Sequence, residues 1–283
     1  TLHFTVSNCM VLHRLLLFSF GLSLCIKIHA SEKLVSYIPN IQLVRGSWGE
    51  VTIPEVKKVL DLTAKQLFPF TQRKNWDSIL VKQSKEGPMV LFERGQNREY
   101  IVYLDTHGRY WCQYVFQFAH EIGHIICGYH KESQKHLWFE ETICEVASLF
   151  ALHSMSKEWK NSPPYPNLKN YAEEFKSYAA NRISKNSFAN PDKFKEWFRS
   201  NKDSLVEKPM DRSLHGKMAT ILLPYFINDS FSWSACLHLN KMNNHATDRF
   251  DHYLDNWKEN CTLESQKKFV KKISEFFGIL LPE

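Results

Sequence analysis

The stretch of sequence that decides the fold is Gln117-Phe-Ala-His120-Glu121-Ile-Gly-His124-Ile-Ile126, a His-Glu-x-x-His motif inside an otherwise uncharged apolar run. This run is predicted to form a largely buried helix. Residues four apart lie on one face of a helix, so His120 and His124 can bind the same metal ion. The apolar residues that recur around the motif at helical spacing are Val115, Phe118, Ala119, Ile122, Ile125 and Ile126.

The spacing of the motif predicts a zinc site. Glu121 is about 100° round the helix from His120, where its carboxylate can reach a water molecule held by the metal. Zinc with an open position lowers the pKa of such a water to about 7, and a nearby carboxylate can take its proton and later deliver it to a leaving amine. We therefore predict that His120 and His124 bind Zn²⁺ and that Glu121 is the general base and acid. Without a metal, these polar groups would be costly on a buried helix.

A third ligand is expected downstream, and there are two candidates. His130 is six residues after the motif, although the intervening glycine is one place later than in a His-x-x-Gly-x-x-His arrangement. The stronger candidate lies in Trp138-Phe-Glu-Glu141-Thr-Ile-Cys-Glu145, at the start of a second apolar-periodic helix. We predict that Glu141 binds the metal. Glu145, one turn later, would accept the free ring N–H of a ligating histidine and so orient it.

These two segments together resemble the gluzincins, metallopeptidases in which His-Glu-x-x-His is followed on a second helix by a glutamate ligand. The second segment is similar to the Trp-Leu-Asn-Glu-Gly-Phe-Ala segment of the aminopeptidase branch. The spacing of Glu141 and Glu145 is similar to the Glu-x-x-x-Asp spacing of the thermolysin branch, and both alignments place the ligand at Glu141. The chain departs from the aminopeptidases in having no Gly-x-Met-Glu-Asn motif. The resemblance covers residues 100–150 and implies a zincin fold with peptidase activity.

The fold class is predicted to be α+β and zincin-like. A small mixed sheet with the active-site helix would form an amino-terminal lobe at residues 31–130, and a mainly helical carboxy-terminal lobe at residues 131–283 would carry the third ligand. A helix is predicted over residues 54–68, with Thr52 as its cap. Runs rich in β-branched and aromatic residues predict strands at residues 77–82, 89–92 and 100–104.

Two further parts of the site are predicted less specifically. In zincin-type lobes the strand nearest the cleft can bind the substrate backbone as an added strand, and residues 100–104 are the candidate, although an ordinary interior strand fits them equally well. The oxyanion of the reaction also needs a stabilising histidine or tyrosine from the helical lobe. His215, Tyr225 and Tyr253 are the candidates, and spacing does not choose among them.

The amino terminus resembles a secretory signal peptide. His13-Arg14 is followed by a mainly apolar run at residues 15–26 and by a small-residue site at Ile28-His-Ala30. A run of twelve residues is short for a membrane span. We predict that residues 1–30 comprise upstream residues and the signal peptide, that cleavage occurs near Ala30, and that the protein is secreted or held in the cell envelope. An uncleaved membrane anchor is the alternative.

The cysteines after residue 30 and the charge predict neither a disulfide framework nor a nucleic-acid partner. Five cysteines remain there, an odd number, although Cys236 could pair with Cys261. Cys127 and Cys144 each follow a proposed ligand by three residues and are interpreted as small core residues rather than ligands. The net charge of +6 is modest, and its densest cluster, at residues 267–272, is interpreted as the solvated face of an amphipathic helix.

Two functions are therefore predicted from the sequence. The first is a zinc-dependent metallopeptidase acting on a peptide or protein substrate. The second is a non-catalytic, zinc-stabilised binding domain with a peptidase-like fold. Glu121 favours the enzyme, because a structural zinc site is usually closed by four protein groups and needs no base beside its ligands.

Overall fold

The computed structural model describes residues 37–131, 135–188, 190–241, 247 and 249–282. The predicted signal segment, with its cleavage site near Ala30, therefore lies outside the described residues. Among the described residues, no helix has both the length and the apolar character that a membrane crossing requires.

One small sheet occupies the amino-terminal part of the chain. Its strands are β1 (Ile41–Leu43), β2 (Ile79–Gln83), β3 (Met89–Val90) and β4 (Tyr100–Leu104). The order is β1-β2-β4-β3, with β1, β2 and β4 parallel and β3 antiparallel to β4. The three predicted strands correspond to β2, β3 and β4. β1 has no predicted counterpart, because three residues are too few to show a period-two pattern.

The strand at residues 100–104 is interior. β4 is hydrogen-bonded to β2 on one side and to β3 on the other, so its backbone groups are already paired and cannot receive a substrate strand. The prediction that this segment binds the substrate backbone is therefore wrong, and its alternative, an ordinary interior strand, is correct. Among the described strands, β3 is the end strand on this side of the sheet.

Helices make up most of the remaining structure, which confirms the predicted mixed class with a mainly helical carboxy-terminal part. Short 3-10 turns lie between them at Phe68–Thr71, Pro166–Leu168 and Ser230–Ser232. The helices are α1 (Ile53–Lys65), α2 (Trp111–Cys127), α3 (Leu137–Asn161), α4 (Tyr171–Ser184), α5 (Pro191–Glu207), α6 (Arg212–Asn228), α7 (Trp233–Cys236), α8 (Phe250–Asn260) and α9 (Glu264–Phe276).

Local sequence signals explain where α1 and α2 begin or end. Thr52 caps α1 in a capping box, because its hydroxyl accepts a hydrogen bond from the Glu55 backbone N–H (3.3 Å) and the Glu55 carboxylate accepts one from the Thr52 N–H (2.7 Å). α2 ends at Cys127, and Gly128, which follows it, has a left-handed φ of 71° that suits a residue without a Cβ. The cap at Thr52 agrees with the helix predicted over residues 54–68.

The two helices that carry the motif segments are buried against each other. All six apolar residues predicted to surround the motif are at most 2 % exposed. The first half of α3 is buried on every side, from Trp138 to Leu152. α3 therefore forms the centre of the molecule, with α2, α4 and α6 packed around it.

Gly123 allows α2 and α3 to approach closely. A Cβ atom at this position would lie 2.8 Å from the Cα atom of Cys144 and 3.0 Å from its Sγ atom. These contacts are too short for a carbon atom, and the Cα cannot swing aside as a side-chain end can. The glycine inside the His-Glu-x-x-His motif thus sets the distance between the two helices that form the site.

We expect Gly123→Ala to lower the free energy of unfolding by about 1–2 kcal/mol. A clash with a backbone atom should cost about 2–3 kcal/mol, the upper part of the range for overpacking, and roughly 1 kcal/mol of this is regained in helix propensity. Urea unfolding of the metal-free protein measures this without a contribution from metal loss. Gly216→Ala, in α6, is the matched control, because the atom its Cβ would meet is the end of the Asn186 side chain. Equal effects of the two substitutions would contradict the close-packing argument.

The basic cluster at residues 267–272 lies on α9. Phe269, Ile273 and Phe276 are buried on the opposite face of this helix, whereas Lys268 and Lys272 are exposed. The interpretation of the cluster as the solvated face of an amphipathic helix agrees with this arrangement.

Candidate metal centre

Two packed helices supply the polar side chains of the candidate site. α2 contributes His120, Glu121 and His124, and α3 contributes Glu140 and Glu141 with Cys144 and Glu145 one turn further on. All of these side chains except His124 are buried, and His124 is partly buried. So many ionisable groups in one apolar interior need mutual compensation or a metal ion.

His120, His124 and Cys144 form a group that could hold a metal ion. Each offers one ligand atom, and these atoms all lie within 4.8 Å of one another. Cys144 is fully buried, as expected of a core residue, but its thiol also contacts the His124 ring. The interpretation of Cys144 as a core residue alone is therefore incomplete. Its position three residues after Glu141, on the same helix face, is the sequence signal that points to it.

Glu141 lies between the two imidazole rings. Its Oε2 atom is 3.1 Å from Nε2 of His120, and its Oε1 atom is 3.5 Å from Nε2 of His124. Burial raises the pKa of Glu141, but the hydrogen bond with His120 and the charges of both histidines together outweigh burial. The resulting pKa of Glu141 is about 2. The predicted third ligand thus lies, as a carboxylate, where the Nε2 atoms of both histidines converge.

A second carboxylate contacts His124 from the other side of the ring. The Oε1 atom of Glu140 is 2.6 Å from Nδ1 of His124. Burial lowers the pKa of His124, but Cys144 and Glu140 raise it well above its usual value. The surroundings therefore favour a positive charge at this histidine. Sequence reasoning did not identify Glu140, because only the packing of the two helices shows which of two adjacent glutamates faces the ring.

Glu145 lies near His120 but at a longer distance. Its Oε2 atom is 3.9 Å from Nδ1 of His120, which exceeds a hydrogen bond. Burial raises the pKa of Glu145, and the charge of His120 opposes this rise. Glu145 therefore does not make the hydrogen bond to a ligating histidine that was predicted for it. A contact of that kind is made by Glu140 with His124.

Glu121 lies beside the ligand group and also lines an open cavity. Glu121 is one of the residues that line the cavity, yet only 2 % of its surface is exposed. Burial raises the pKa of Glu121, and the positive charges of His120 and His124 oppose the rise. A carboxylate whose pKa is raised by burial is a stronger base than a solvated one, which suits proton transfer.

The cavity has a volume of about 470 Å³ and reaches the solvent. Its floor contains both histidines of the motif with Glu121, Glu140 and Glu141. Met89 and Val90 of β3 also line the cavity, together with Met210, which precedes α6, and Arg212, the first residue of α6. His130, the alternative third ligand, lines the cavity but is not in the ligand group found among the described residues.

Of the three oxyanion candidates, Tyr253 lies near Glu140 and Cys144. His215 lies near Glu141 and His120. It is 1 % exposed, and burial lowers the pKa of His215 to about 4 against the opposing charge of Glu141. His215 does not line the cavity. Tyr253 is buried, and its hydroxyl donates a hydrogen bond to Asn240. Tyr225 lines a separate groove beside α9. None of the three is placed at the cavity surface.

The cysteines of the described residues are not paired. Cys112, Cys127, Cys144, Cys236 and Cys261 are all free and buried. The pair of Cys236 with Cys261, which the sequence left open, is therefore not formed. Buried free cysteines behave as small apolar residues.

The comparisons with known proteins found no relative of this chain. No protein-family model matches the chain. No curated protein and no solved structure gives a significant match. A function is therefore inferred from the residues of the site and their geometry.

Proposed function

We propose that this chain is a zinc-dependent metallopeptidase of the gluzincin kind, which hydrolyses peptide bonds. His120, His124 and Glu141 would hold the zinc ion, and Glu121 would be the general base and then the general acid. The observation that carries the proposal is the convergence of two Nε2 atoms and one carboxylate, beside a buried glutamate, at the floor of an open cavity.

The donor atoms fit zinc. Two imidazole nitrogens with one carboxylate oxygen are a ligand set that zinc accepts, and three protein ligands leave a position open for chemistry. Glu141 is preferred to Cys144 as the third ligand, because its carboxylate reaches the Nε2 atoms of both histidines and also lines the cavity. Cys144 does not line the cavity.

The residues of the chain have definite tasks in this reaction. A bound zinc ion supplies Lewis-acid activation of a water molecule and of the scissile carbonyl. The Glu121 carboxylate accepts one proton of the attacking water as the new C–O bond forms. The Glu121 carboxylic acid formed in this way then donates the proton to the nitrogen of the leaving amine as the C–N bond breaks. Burial raises the pKa of Glu121, which makes its carboxylate a stronger base for the first transfer.

β3 is the element that could align a peptide substrate. It is paired with β4 on one side only among the described strands, and Met89 and Val90 line the cavity. An extended peptide can therefore add to this edge through backbone hydrogen bonds. The apolar walls, which include Phe92 and Met210, favour an apolar substrate side chain near the scissile bond.

A zinc-stabilised binding domain is the second candidate, and Cys144 is the observation that favours it. If both Glu141 and the Cys144 thiolate bound the ion with the two histidines, four protein groups would close the site. A closed site has no position for water and no turnover. The cavity beside the histidines and the buried base favour the enzyme over this alternative.

The full chain is expected to bind about one zinc ion and to cleave members of a peptide library. Metal analysis measures the first result, and mass spectrometry of the library measures the second. 1,10-Phenanthroline should abolish cleavage, and added zinc should restore it. Cleavage by the metal-free chain would contradict the metallopeptidase, whereas bound zinc without any cleavage would support the binding domain.

A further inference from the structure

A buried chain of hydrogen bonds leads from the carboxy-terminal helices to the candidate ligand His124. The hydroxyl of Tyr253 donates to Oδ1 of Asn240 (3.1 Å), and Nδ2 of Asn240 donates to Oε2 of Glu140 (2.6 Å). The other carboxylate oxygen of Glu140 is 2.6 Å from Nδ1 of His124. We call Tyr253, Asn240 and Glu140 the Asn240 relay.

Every member of the Asn240 relay is buried. The exposed fractions are 1 % for Glu140, 6 % for Asn240 and 2 % for Tyr253. A carboxylate at this depth needs donors on both of its oxygens, because it has lost its hydration. His124 satisfies one oxygen and Asn240 the other. Glu140 therefore cannot turn toward another partner without leaving a buried donor unsatisfied.

The direction of these hydrogen bonds decides which nitrogen of His124 can bind a metal. A carboxylate only accepts, so Nδ1 of His124 must donate its hydrogen to Glu140. In the neutral ring, the form that binds a metal, the lone pair is then on Nε2, which faces Glu141 at 3.5 Å. Among the described residues, Nδ1 of His120 has no such hydrogen bond, because the nearest oxygen of Glu145 is 3.9 Å from it. The relay thus acts on His124 alone.

Asn240 also joins the two helices of the site. Its backbone N–H donates to the carbonyl oxygen of Cys127, the last residue of α2, at 3.3 Å. Its side chain holds Glu140 in the first turn of α3. A single residue that follows α7 therefore contacts both helices that supply the ligands, although it is 100 residues from Glu140 in the sequence.

We propose that Asn240 is a positioning residue, which holds Glu140 so that His124 presents Nε2 to the metal. This inference rests on the proposed zinc site. It assigns Tyr253 a smaller part in the same role, because the hydroxyl only orients the Asn240 amide. The relay predicts that metal affinity depends on residues that do not touch the metal.

The test is the zinc Kd of the full chain, measured by competition with a chromophoric chelator. Asn240→Leu keeps the volume but removes the donor to Glu140, and the Kd should rise about 10- to 100-fold, as for other residues that orient metal ligands. Tyr253→Phe should raise the Kd by about 3- to 10-fold, the value of one hydrogen bond. Asn201→Leu is the matched control, because the side chain of this α5 asparagine donates to the Trp197 carbonyl oxygen of its own helix.

A second readout separates positioning from folding. In the zinc-loaded parent the Nδ1–H proton of His124 should exchange slowly with solvent in NMR spectra, and it should exchange faster in Asn240→Leu. If Asn240→Leu does not fold, Tyr253→Phe, which removes one oxygen atom, carries the same comparison. An unchanged Kd and exchange rate in a folded relay variant would overturn the inference. A parent chain that binds no zinc would instead overturn the proposed function.

Discussion

Glu121→Gln is expected to lower kcat/KM for peptide hydrolysis by about 10²- to 10⁴-fold, the contribution of a positioned general base and acid. The amide has the shape of the carboxylate but cannot accept a proton from water or return it to the amine. Because Glu121 is not a ligand in the proposed site, the variant should still hold about one zinc ion per chain. Peptide cleavage and metal analysis on the same preparation measure both quantities.

Glu174→Gln is the matched control for this substitution. It makes the same chemical change on the exposed surface of α4 and should leave kcat/KM unchanged. A Glu121→Gln protein that cleaves peptides as fast as the parent would show that another group moves the proton. Loss of zinc from the same variant would show that Glu121 binds the metal, which contradicts its assigned role.

Glu141→Ala is expected to raise the zinc Kd by at least about 100-fold, more than the 10- to 100-fold typical of residues that only orient ligands. The substitution removes the single carboxylate that approaches the Nε2 atoms of both His120 and His124. Hydrolysis at limiting zinc should be lost with the metal. Competition with a chelator measures the Kd, and circular dichroism checks that the metal-free variant is folded.

Cys144→Ala gives the decisive comparison, because its thiol belongs to the ligand group of the two histidines. If Glu141 is the third ligand, Cys144→Ala should change the zinc Kd by less than about 3-fold, since no bond to the metal is lost. The reverse pattern, with strong loss in Cys144→Ala and little in Glu141→Ala, would move the third ligand to Cys144. Strong loss in both variants would support four protein ligands and the zinc-stabilised binding domain.

Much of the site could be predicted because its signals are local. The apolar period around His120 and His124 predicts a buried helix, and four-residue spacing places both rings on one face. The capping signal at Thr52 and the glycine at position 128 likewise act within a few residues of the backbone they terminate. Such features depend on short-range geometry, which the order of residues determines directly.

The choice among neighbouring side chains could not be predicted in the same way. Glu140, Glu141 and Cys144 are all close in sequence, and which of them faces a given imidazole depends on the rotation of α3 against α2. Close packing of Gly123 on Cys144 restricts that rotation. This packing is a contact between two helices and not a property of either one. The apolar period of one helix indicates that the segment is buried, but it does not show which residues of another helix each face contacts.

The sequence by itself therefore determined the motif helix, the second helix and the three strands detected beside them, because each depends on periodicity and capping within one segment. Only the tertiary structure decided that β4 is interior, that Glu140 contacts His124 and that Asn240 holds Glu140. These are pairings between distant segments, such as residues 140 and 240. Their energy comes from burying and satisfying groups of both partners at once, and neither segment alone carries a signal for the other.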